Sequence, residues 1–245
     1  EAAAGKLLAN FYLFNKLAGC FDVIGRTCEG FDDVKFEQIR NILSSDKRIG
    51  KWGFYDSLYA GGSCFIKDAR SLSHQLQTVG QNAQMVNETY LANKRQLELF
   101  LSRAKKEGNI DWRGKRVAVV GLAFKRDTND TRNSPSIDIV RFLQDEGVSH
   151  INVYDPSATE MFQYDFPPTE TLEYMTHEFD AVKNADVVII ATDWPQFRGL
   201  ADTMIAELEN RPLIMDGRRM LQHRYSDLAA AGFPIIAVGS PFISS

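Results

Sequence analysis

The stretch Val117-Ala118-Val119-Val120-Gly121 decides the fold of the second half of the chain. Four apolar, mostly β-branched residues that end at a glycine are typical of a short strand buried in a parallel sheet. Further apolar runs, separated by helical patterns, follow at residues 151–154, 187–191, 213–215 and 235–238. Strands that alternate with helices indicate an α/β fold, so we expect a Rossmann-like domain of five or six parallel strands over residues 113–245.

The first part of the chain has a different pattern. Apolar residues recur at helical spacing over residues 5–29, 36–43 and 71–106. The last of these stretches contains no proline and a single glycine, Gly80, which predicts one or two long helices. Residues 48–67 are rich in glycine and aromatic residues, as loops often are. We therefore expect an all-helical region over residues 1–110, followed by a short polar boundary.

Composition excludes several classes of function. The net charge of -4 gives no basic surface for nucleic acid, and no apolar run approaches the roughly 18 residues of a membrane span. The chain begins with Glu1 and has no secretory signal, so we expect no export. Three cysteines without CxxC spacing and four scattered histidines predict neither a disulfide framework nor a metal site. Free thiols suit a reducing, cytoplasmic setting.

The string GGSCFIKD, residues 61–68, contains the first candidate site. Cys64 follows two glycines, which let a ligand approach the backbone closely, and the nearby Lys67 would favour a thiolate. Asp68 lies four residues later, so a helix that starts here would bring its carboxylate to the same side as the sulfur. A buried, inert cysteine in a tight turn explains the residues equally well.

Two other groups of polar residues are candidates for binding. Lys6 and Asn10 share one face of a helix, where a pair of surface side chains is the more usual explanation. The loop at residues 121–135 follows a strand and precedes a helix, which is where α/β folds bind phosphate. It lacks the GxGxxG dinucleotide fingerprint but offers Lys125 and Arg132, and Arg218 follows a later strand. Asp155 fits either a ribose contact or a plain turn.

Seven ordered motifs together resemble the UDP-glucose/GDP-mannose dehydrogenase family. They are Lys6xxxAsn10, DKRIG at residues 46–50, GGSCFIKD at 61–68, GLAFKRDTNDTRNSP at 121–135, VYDP at 153–156, TDWPQF at 192–197 and DGRR at 216–219. Within the family, the RIG, TDWPQF and DGRR segments are more similar to enzymes that oxidise UDP-glucose than to those that oxidise GDP-mannose.

The resemblance implies a domain organisation and a reaction. Family members have an NAD-binding domain, a central helical dimerisation domain and a UDP-binding domain. Residues 1–110 correspond to the central domain with its catalytic cysteine loop, and residues 113–245 to the UDP-binding domain. NAD would be bound mainly by a domain outside this sequence. The implied reaction is the four-electron oxidation of a sugar CH2OH to a carboxylate by a cytoplasmic homodimer.

The resemblance also implies roles for single residues. Cys64 is the expected nucleophile, Lys6 and Asn10 stabilise oxyanions, and Asp68 orients or activates water. The expected substrate contacts are Arg48 (reaching across the dimer), Tyr55, Gly61, Phe124 through its backbone, Lys125 and Arg218. The expected cofactor contacts are Lys67 and Arg132.

Two stretches depart from the family pattern. Residues 16–22 lack the usual serine-containing sequence of the central helix, and Tyr59-Ala60 stands where the family prefers glycine with an aromatic residue. These departures leave two alternatives open. One is a sister enzyme for a UDP-N-acetylhexosamine or GDP-mannose, and the other is a non-catalytic module that binds nucleotide sugars and dimerises.

Overall fold

The computed structural model describes residues 1–54 and 57–244. The chain divides into two compact units, each described here by itself. The first unit comprises Glu1–Leu99 and Gly239–Pro241, and the second comprises Phe100–Val238 and Phe242–Ser245. The division between these units falls inside one helix, whereas the sequence analysis puts a domain boundary just after residue 110. That boundary stays a prediction.

The described part of the first unit is helical. Its helices are α1 (Ala2–Gly19), α2 (Arg26–Gly30), α3 (Phe36–Ser45), α4 (Cys64–Thr78) and the start of α5 (Gln84–Lys106), with a π-helical turn at Cys20–Gly25. The predicted stretch over residues 71–106 is two helices, because Gly80 has a φ of 71° that ends the first of them. Helix α4 begins at Cys64, inside the stretch of residues 48–67 whose composition is typical of a loop.

A cluster of apolar side chains holds the first unit together. Phe14 and Cys28 are completely buried in it, and Phe14 stacks on Phe65 with 5.8 Å between ring centroids. The cluster draws on α1, the π-helical turn, α4 and α5, so the helix bearing Lys6 and Asn10 packs against the helix that begins at Cys64.

One helical stretch differs from the expectation that no segment has the length of a membrane span. Ala2–Gly30 is 29 residues long, and its mean hydropathy reaches 1.2 over the most apolar 18-residue window. A third of that window is buried inside the protein, where Phe14 and Leu17 pack in the core. Core helices of soluble proteins reach the same hydropathy, so this helix is weak support for a membrane segment.

The second unit contains a parallel sheet of six strands, which confirms the predicted fold class. The strands are β1 (Arg116–Val120), β2 (His150–Tyr154), β3 (Leu172–Tyr174), β4 (Val187–Ile190), β5 (Leu213–Asp216) and β6 (Ile235–Ala237). Their spatial order is β3-β2-β1-β4-β5-β6, and every pairing is parallel. The order changes direction between β1 and β4, where open α/β sheets bind ligands beyond the carboxyl ends of the strands.

The described residues of this unit also include the end of α5, two short 3-10 helices and the α-helices α6 (Pro135–Asp145), α7 (Thr159–Asp165), α8 (Glu178–Val182), α9 (Leu200–Glu207) and α10 (Tyr225–Ala230). Helix α6 has Pro135 in its first turn, where proline is well tolerated, and the Ser134 hydroxyl accepts from the Ser136 N–H as an N-cap. It ends before Gly147, whose φ is 72°.

The turn after β1 is tightly packed. Gly121 has a φ of 96°, and a Cβ there would lie 2.6 Å from the Thr192 backbone nitrogen after β4. The Thr192 hydroxyl donates to the Ala123 carbonyl at 2.7 Å, and the Ser136 hydroxyl donates to the Gly121 carbonyl at 2.6 Å. The loops after β1 and β4 are therefore fixed to each other at the point where the strand order changes direction.

Candidate active site

Cys64 lies in the first turn of α4 and is exposed to solvent. Gly62, two residues before it, has a φ of 79°, a backbone conformation that favours glycine. The first turn of a helix presents backbone N–H groups that favour negative charge. Cys64 is therefore not buried, in contrast to the alternative of a buried cysteine in a tight turn.

Asp68 is the centre of a polar cluster beside Cys64. Its Oδ2 accepts a 2.6 Å hydrogen bond from the Asn10 side-chain amide, and its Oδ1 lies 3.0 Å from the Lys67 ammonium. Asp68 is only 9% exposed, whereas the Lys67 side chain is 71% exposed. The cluster joins α1 to α4, so the shared face of Lys6 and Asn10 is a polar contact between helices.

The cluster stabilises the charged form of Asp68. The hydrogen bond from Asn10 lowers the pKa of this carboxyl most, and Lys67 and Lys6 lower it further, against the effect of burial. The same contact with Asp68 raises the pKa of Lys67, and Cys64 adds a smaller electrostatic contribution in that direction. Three of the expected residues thus stabilise the Asp68 carboxylate: Asn10 by a hydrogen bond, Lys67 by a hydrogen bond and its charge, and Lys6 by its charge.

Arg48 lies in the loop after α3, with an 89% exposed side chain. Its guanidinium and backbone N–H both bond to Asp46, which lowers the pKa of Asp46 and raises that of Arg48. Lys16 supports this loop by donating to the Ile49 carbonyl at 2.6 Å. Gly61 is half-buried ahead of the cysteine, and the expected contact at Tyr55 lies outside the described residues.

A second group of cations lies at the carboxyl edge of the sheet. The loop after β1 carries the exposed Lys125, whose ammonium lies 5.4 Å from the centre of the Phe124 ring. Arg218, in the loop after β5, is mostly buried, and its guanidinium lies 2.9 Å from Asp193 in the loop after β4. Arg126 approaches the other oxygen of Asp193 at 4.0 Å. Asp193 therefore links two arginines, which the sequence analysis missed because the three residues are far apart in the chain.

Arg132 and Asp155 have partners within this unit. Arg132 is 71% exposed and forms a two-pronged contact with Asp130, which lowers the pKa of Asp130. Asp155 is buried, and its carboxylate accepts bonds at 2.7–3.1 Å from four backbone N–H groups and the Trp194 ring. Its Oδ1 accepts within the turn that follows β2, and its Oδ2 accepts from the loop after β1 and from Trp194, so Asp155 connects these loops.

The described residues fit only the outer part of a dinucleotide. The loop after β1 has one glycine, Gly121, where a pyrophosphate-binding turn needs several, and Thr192 fills the space beside it. Lys67 in the first unit and Arg132 in the second unit are exposed cations, and each by itself suits a phosphate oxygen. Within residues 1–54 and 57–244, no group of three or more potential metal ligands comes together.

Family models match both parts of the chain. Residues 1–95 match the model described as "UDP-glucose/GDP-mannose dehydrogenase family, central domain". Residues 118–223 match the model described as "UDP-glucose/GDP-mannose dehydrogenase family, UDP binding domain".

Known proteins give the same family. The chain is 32% identical to UDP-glucose 6-dehydrogenase of Pseudomonas aeruginosa over 98% of its own length and 53% of that protein. It is 34% identical to UDP-glucose 6-dehydrogenase of Haloferax volcanii over 91% of its length and 50% of that protein. The chain thus spans about half the length of these curated relatives.

A solved structure is similar in fold over most of the chain. A UDP-glucose dehydrogenase from Pyrobaculum islandicum superposes with a TM-score of 0.81 and 27% identity, covering 91% of this chain and 49% of that one. An NDP-N-acetyl-D-galactosaminuronic acid dehydrogenase from Methanosarcina mazei reaches 0.80 at 20% identity, covering 98% of this chain and 51% of that one, and shows the shared fold alone. The seven motifs, the six-stranded sheet and both family models agree, and the chain belongs to the UDP-glucose/GDP-mannose dehydrogenase family.

Proposed function

We propose that this chain supplies the catalytic thiol and the nucleotide-sugar site of an enzyme that oxidises UDP-glucose to UDP-glucuronate. The observation that carries the proposal is the exposed Cys64 in the first turn of α4, beside the coupled side chains of Asn10, Lys67 and Asp68. An exposed thiol at a helix N-terminus is suited to nucleophilic attack, because the thiolate is the reactive form.

Cys64 acts after the C6 alcohol has been oxidised to an aldehyde. Its sulfur bonds to the aldehyde carbon, and the carbonyl oxygen takes a proton to give a thiohemiacetal. The second oxidation turns the thiohemiacetal into a thioester. Water then adds to the thioester carbon, the carbon–sulfur bond breaks, and the carboxylate leaves as Cys64 recovers its proton. Covalent catalysis thus divides a difficult oxidation into smaller steps.

Lys6 and Asn10 stabilise the oxyanions that form at C6, as a cation and an amide donor directed at developing charge. Asp68 orients the hydrolytic water. The lowered pKa of Asp68 favours orientation over proton abstraction, because a carboxylate with a low pKa is a weak base. Asp68 also holds the Asn10 amide in place through their 2.6 Å hydrogen bond.

The nucleotide part of the substrate binds at the carboxyl edge of the sheet. Lys125 and the Phe124 backbone hold the substrate from the loop after β1, and Arg218 contacts the UDP moiety from the loop after β5. Two cations from two strand ends suit a pyrophosphate. Gly61 and Tyr55 line the sugar, and Arg48 reaches the site of a partner subunit.

NAD, bound mainly outside this chain, would supply the oxidising capacity by accepting two hydrides, so that one alcohol, two NAD⁺ and one water would give one carboxylate, two NADH and three protons. Lys67 and Arg132 are the residues of this chain proposed to contact it. Each cation has a carboxylate neighbour that a phosphate can replace.

We also propose a homodimer that forms through the helices of the first unit. A groove between α1 with its π-helical turn and α5 has small residues, Ala18 and Gly19, on one wall and Met85 and Ala92 on the other. Val23 and Met85, which also line it, are 63% and 64% exposed. Small residues beside exposed apolar ones favour close helix packing, so the occupant is a second copy of this face. A cytoplasmic location belongs to the same proposal, because the exposed Cys64 must stay reduced.

The stoichiometry of oxidation tests the role of the thiol. In the full-length protein, we expect the parent to produce two NADH per UDP-glucose and Cys64→Ala to produce no UDP-glucuronate, with turnover lowered on the order of 10³-fold or more. Ser71→Ala is the matched control on the same helix, since the Ser71 hydroxyl accepts a hydrogen bond from the nearby Gln75 amide. Normal acid formation by Cys64→Ala would overturn the proposed function.

Competing ligands test the substrate. We expect UDP and UDP-glucose to raise the Tm of the full-length protein more than GDP or GDP-mannose, because a ligand that binds only the folded state stabilises it. Stronger protection by a UDP-N-acetylhexosamine or by GDP-mannose would assign the chain to a sister dehydrogenase. Nucleotide-sugar protection without oxidation of any of these sugars would favour the non-catalytic module.

A further inference from the structure

Two buried amide side chains on α5 contact the segment that leads to the thiol. Asn93 and Gln96 are 1% and 2% exposed, and both bond to the backbone of residues 57–60. This segment runs directly into Gly61, Gly62, Ser63 and Cys64. Buried amides are costly unless they are hydrogen-bonded, so their position calls for an explanation beyond core filling.

Asn93 binds both backbone polar groups of one residue. Its Oδ1 accepts from the Ala60 N–H at 2.7 Å, and its Nδ2 lies 3.4 Å from the Ala60 carbonyl. Ala60 is 9% exposed, so water has little access to replace these bonds. One side chain thereby fixes the peptide groups on both sides of Ala60, as a neighbouring strand would.

Gln96 fixes the other end of the segment. Its Nε2 donates to the Ser57 carbonyl at 2.9 Å. The orientation of the amide is set because its Oε1 accepts from Arg26, which is itself held by Glu29 at 2.9 Å. The Ser57 hydroxyl also donates to the Tyr59 carbonyl at 3.0 Å within the segment.

We propose that Asn93 and Gln96 are positioning residues that set the location and reactivity of the Cys64 sulfur. The segment that Asn93 and Gln96 hold leads through Gly61, Gly62 and Ser63 into the first turn of α4, so the position of Ala60 affects how that turn begins. The charge-stabilising N–H groups of α4 act on a thiolate only when the sulfur stays close to them. The inference rests on the proposed function for what Cys64 attacks, but not for where its sulfur lies.

The test uses full-length protein with two nearly isosteric variants, Asn93→Asp and Gln96→Glu. Each keeps the acceptor and replaces the donor that faces a backbone carbonyl by an oxygen. The matched control is Asn87→Asp, which makes the same change on α5 at an exposed amide whose oxygen accepts from Ser73. Asn93→Ser is a milder third variant, because its shorter side chain removes the amide that binds Ala60 without adding a charge.

Two measurements separate positioning from general stability. The first is the pH dependence of Cys64 alkylation by iodoacetamide, followed by mass spectrometry of the Cys64 peptide in protein shown to be folded. The second is kcat and KM with UDP-glucose. We expect alkylation at neutral pH to slow by roughly 3-fold or more, because the sulfur moves away from the N–H groups. We expect kcat to fall roughly 10- to 100-fold with little change in KM.

Each outcome decides between the alternatives. Folded variants with the alkylation profile and kcat of the parent would overturn the inference, even if their Tm is lower. If Asp and Glu prevent folding, unchanged alkylation in Asn93→Ser would overturn it equally. Altered alkylation in the three variants but not in Asn87→Asp supports it. Should the parent oxidise no nucleotide sugar while these alkylation differences persist, the proposed function fails and the positioning role stands.

Discussion

Asn10 donates a 2.6 Å hydrogen bond from its side-chain amide to Asp68, a residue 58 positions later in the chain. This contact contributes most to the lowered pKa of Asp68. It also connects the helix bearing Lys6 to the helix that begins at Cys64. The bond therefore ties the expected oxyanion site to the expected nucleophile.

Removing the Asn10 amide makes the stability of the protein less dependent on acidic pH. Because the pKa of Asp68 in the folded state lies below its unfolded value, its contribution to stability is present above roughly pH 4 and is lost as the pH falls further. In Asn10→Ala the pKa of Asp68 rises, so we expect the variant to lose more Tm at pH 6 than at pH 3.

The control for this prediction is Asn15→Ala, which removes an amide on the same helix that bonds to the hydroxyl of Thr89. No carboxylate takes part in that bond, so the loss of Tm should be the same at both pH values. An equal loss at pH 3 and pH 6 in Asn10→Ala would show that the hydrogen bond does not govern the titration of Asp68.

We expect Asp193 to lower the affinity of the carboxyl edge for an anion, because its carboxylate lies 2.9 Å from the Arg218 guanidinium. Asp193→Asn keeps the size of the side chain but removes this negative charge. We expect UDP to bind about 3- to 10-fold more tightly at low salt, with a smaller gain at high salt. Isothermal titration calorimetry measures both values.

The matched control is Asp202→Asn. Asp202 is an exposed carboxylate on α9 that forms an ion pair with Arg224. Its UDP affinity should equal that of the parent. Weaker UDP binding by Asp193→Asn would mean that Asp193 serves the site through its charge, by holding Arg218 in place.

Alanine substitutions at Gly121 and Gly114 distinguish the cost of backbone strain from the cost of a steric clash. Both have a positive φ, but a Cβ at Gly121 would lie 2.5 Å from Thr192, whereas a Cβ at Gly114 meets nothing within 4 Å. We expect Gly114→Ala to lower the free energy of unfolding by about 1 kcal/mol and Gly121→Ala by roughly 2–4 kcal/mol. Denaturant unfolding measures both. Equal costs would show that the contact with Thr192 relaxes freely.

A charge placed in the groove of the first unit tests the proposed dimer. We expect Met85→Glu to convert the dimer to a monomer, because an unpaired carboxylate would be buried between the copies. Light scattering after size-exclusion chromatography measures the mass. Val79→Glu changes an apolar residue that is 70% exposed and does not line the groove, so its mass should not change. A Met85→Glu variant that stays dimeric would place the interface elsewhere.

The sequence predicted most of the sheet because its strands are short apolar runs separated by helices. It missed β3, whose three residues Leu172, Glu173 and Tyr174 do not form an apolar run. An edge strand of this kind buries one face only, so a polar residue is tolerated in its middle.

The candidate site was harder to predict than the fold. Helical spacing put Lys6 and Asn10 on one face, but no local pattern gives the partner of Asn10, because Asp68 arrives through the packing of α1 on α4. A local signal did exist for the exposed arginines. Arg48 and Arg132 each follow an aspartate by two residues, and each bonds to it through backbone and side chain.

The carboxylates of Asp155 and Asp216 are buried, so they contribute less to the electrostatic potential at the surface than their formal charges suggest. Both carboxylate oxygens of Asp216 accept hydrogen bonds, as those of Asp155 do. The donors are three backbone N–H groups and the Tyr225 hydroxyl. Peptide dipoles thus stabilise two negative charges inside the scaffold. The charged side chains that an approaching anion meets at this edge are Lys125, Arg126 and Arg218, with Asp193 between the two arginines. A protein with an overall charge of -4 can in this way present a locally attractive surface to a polyanion.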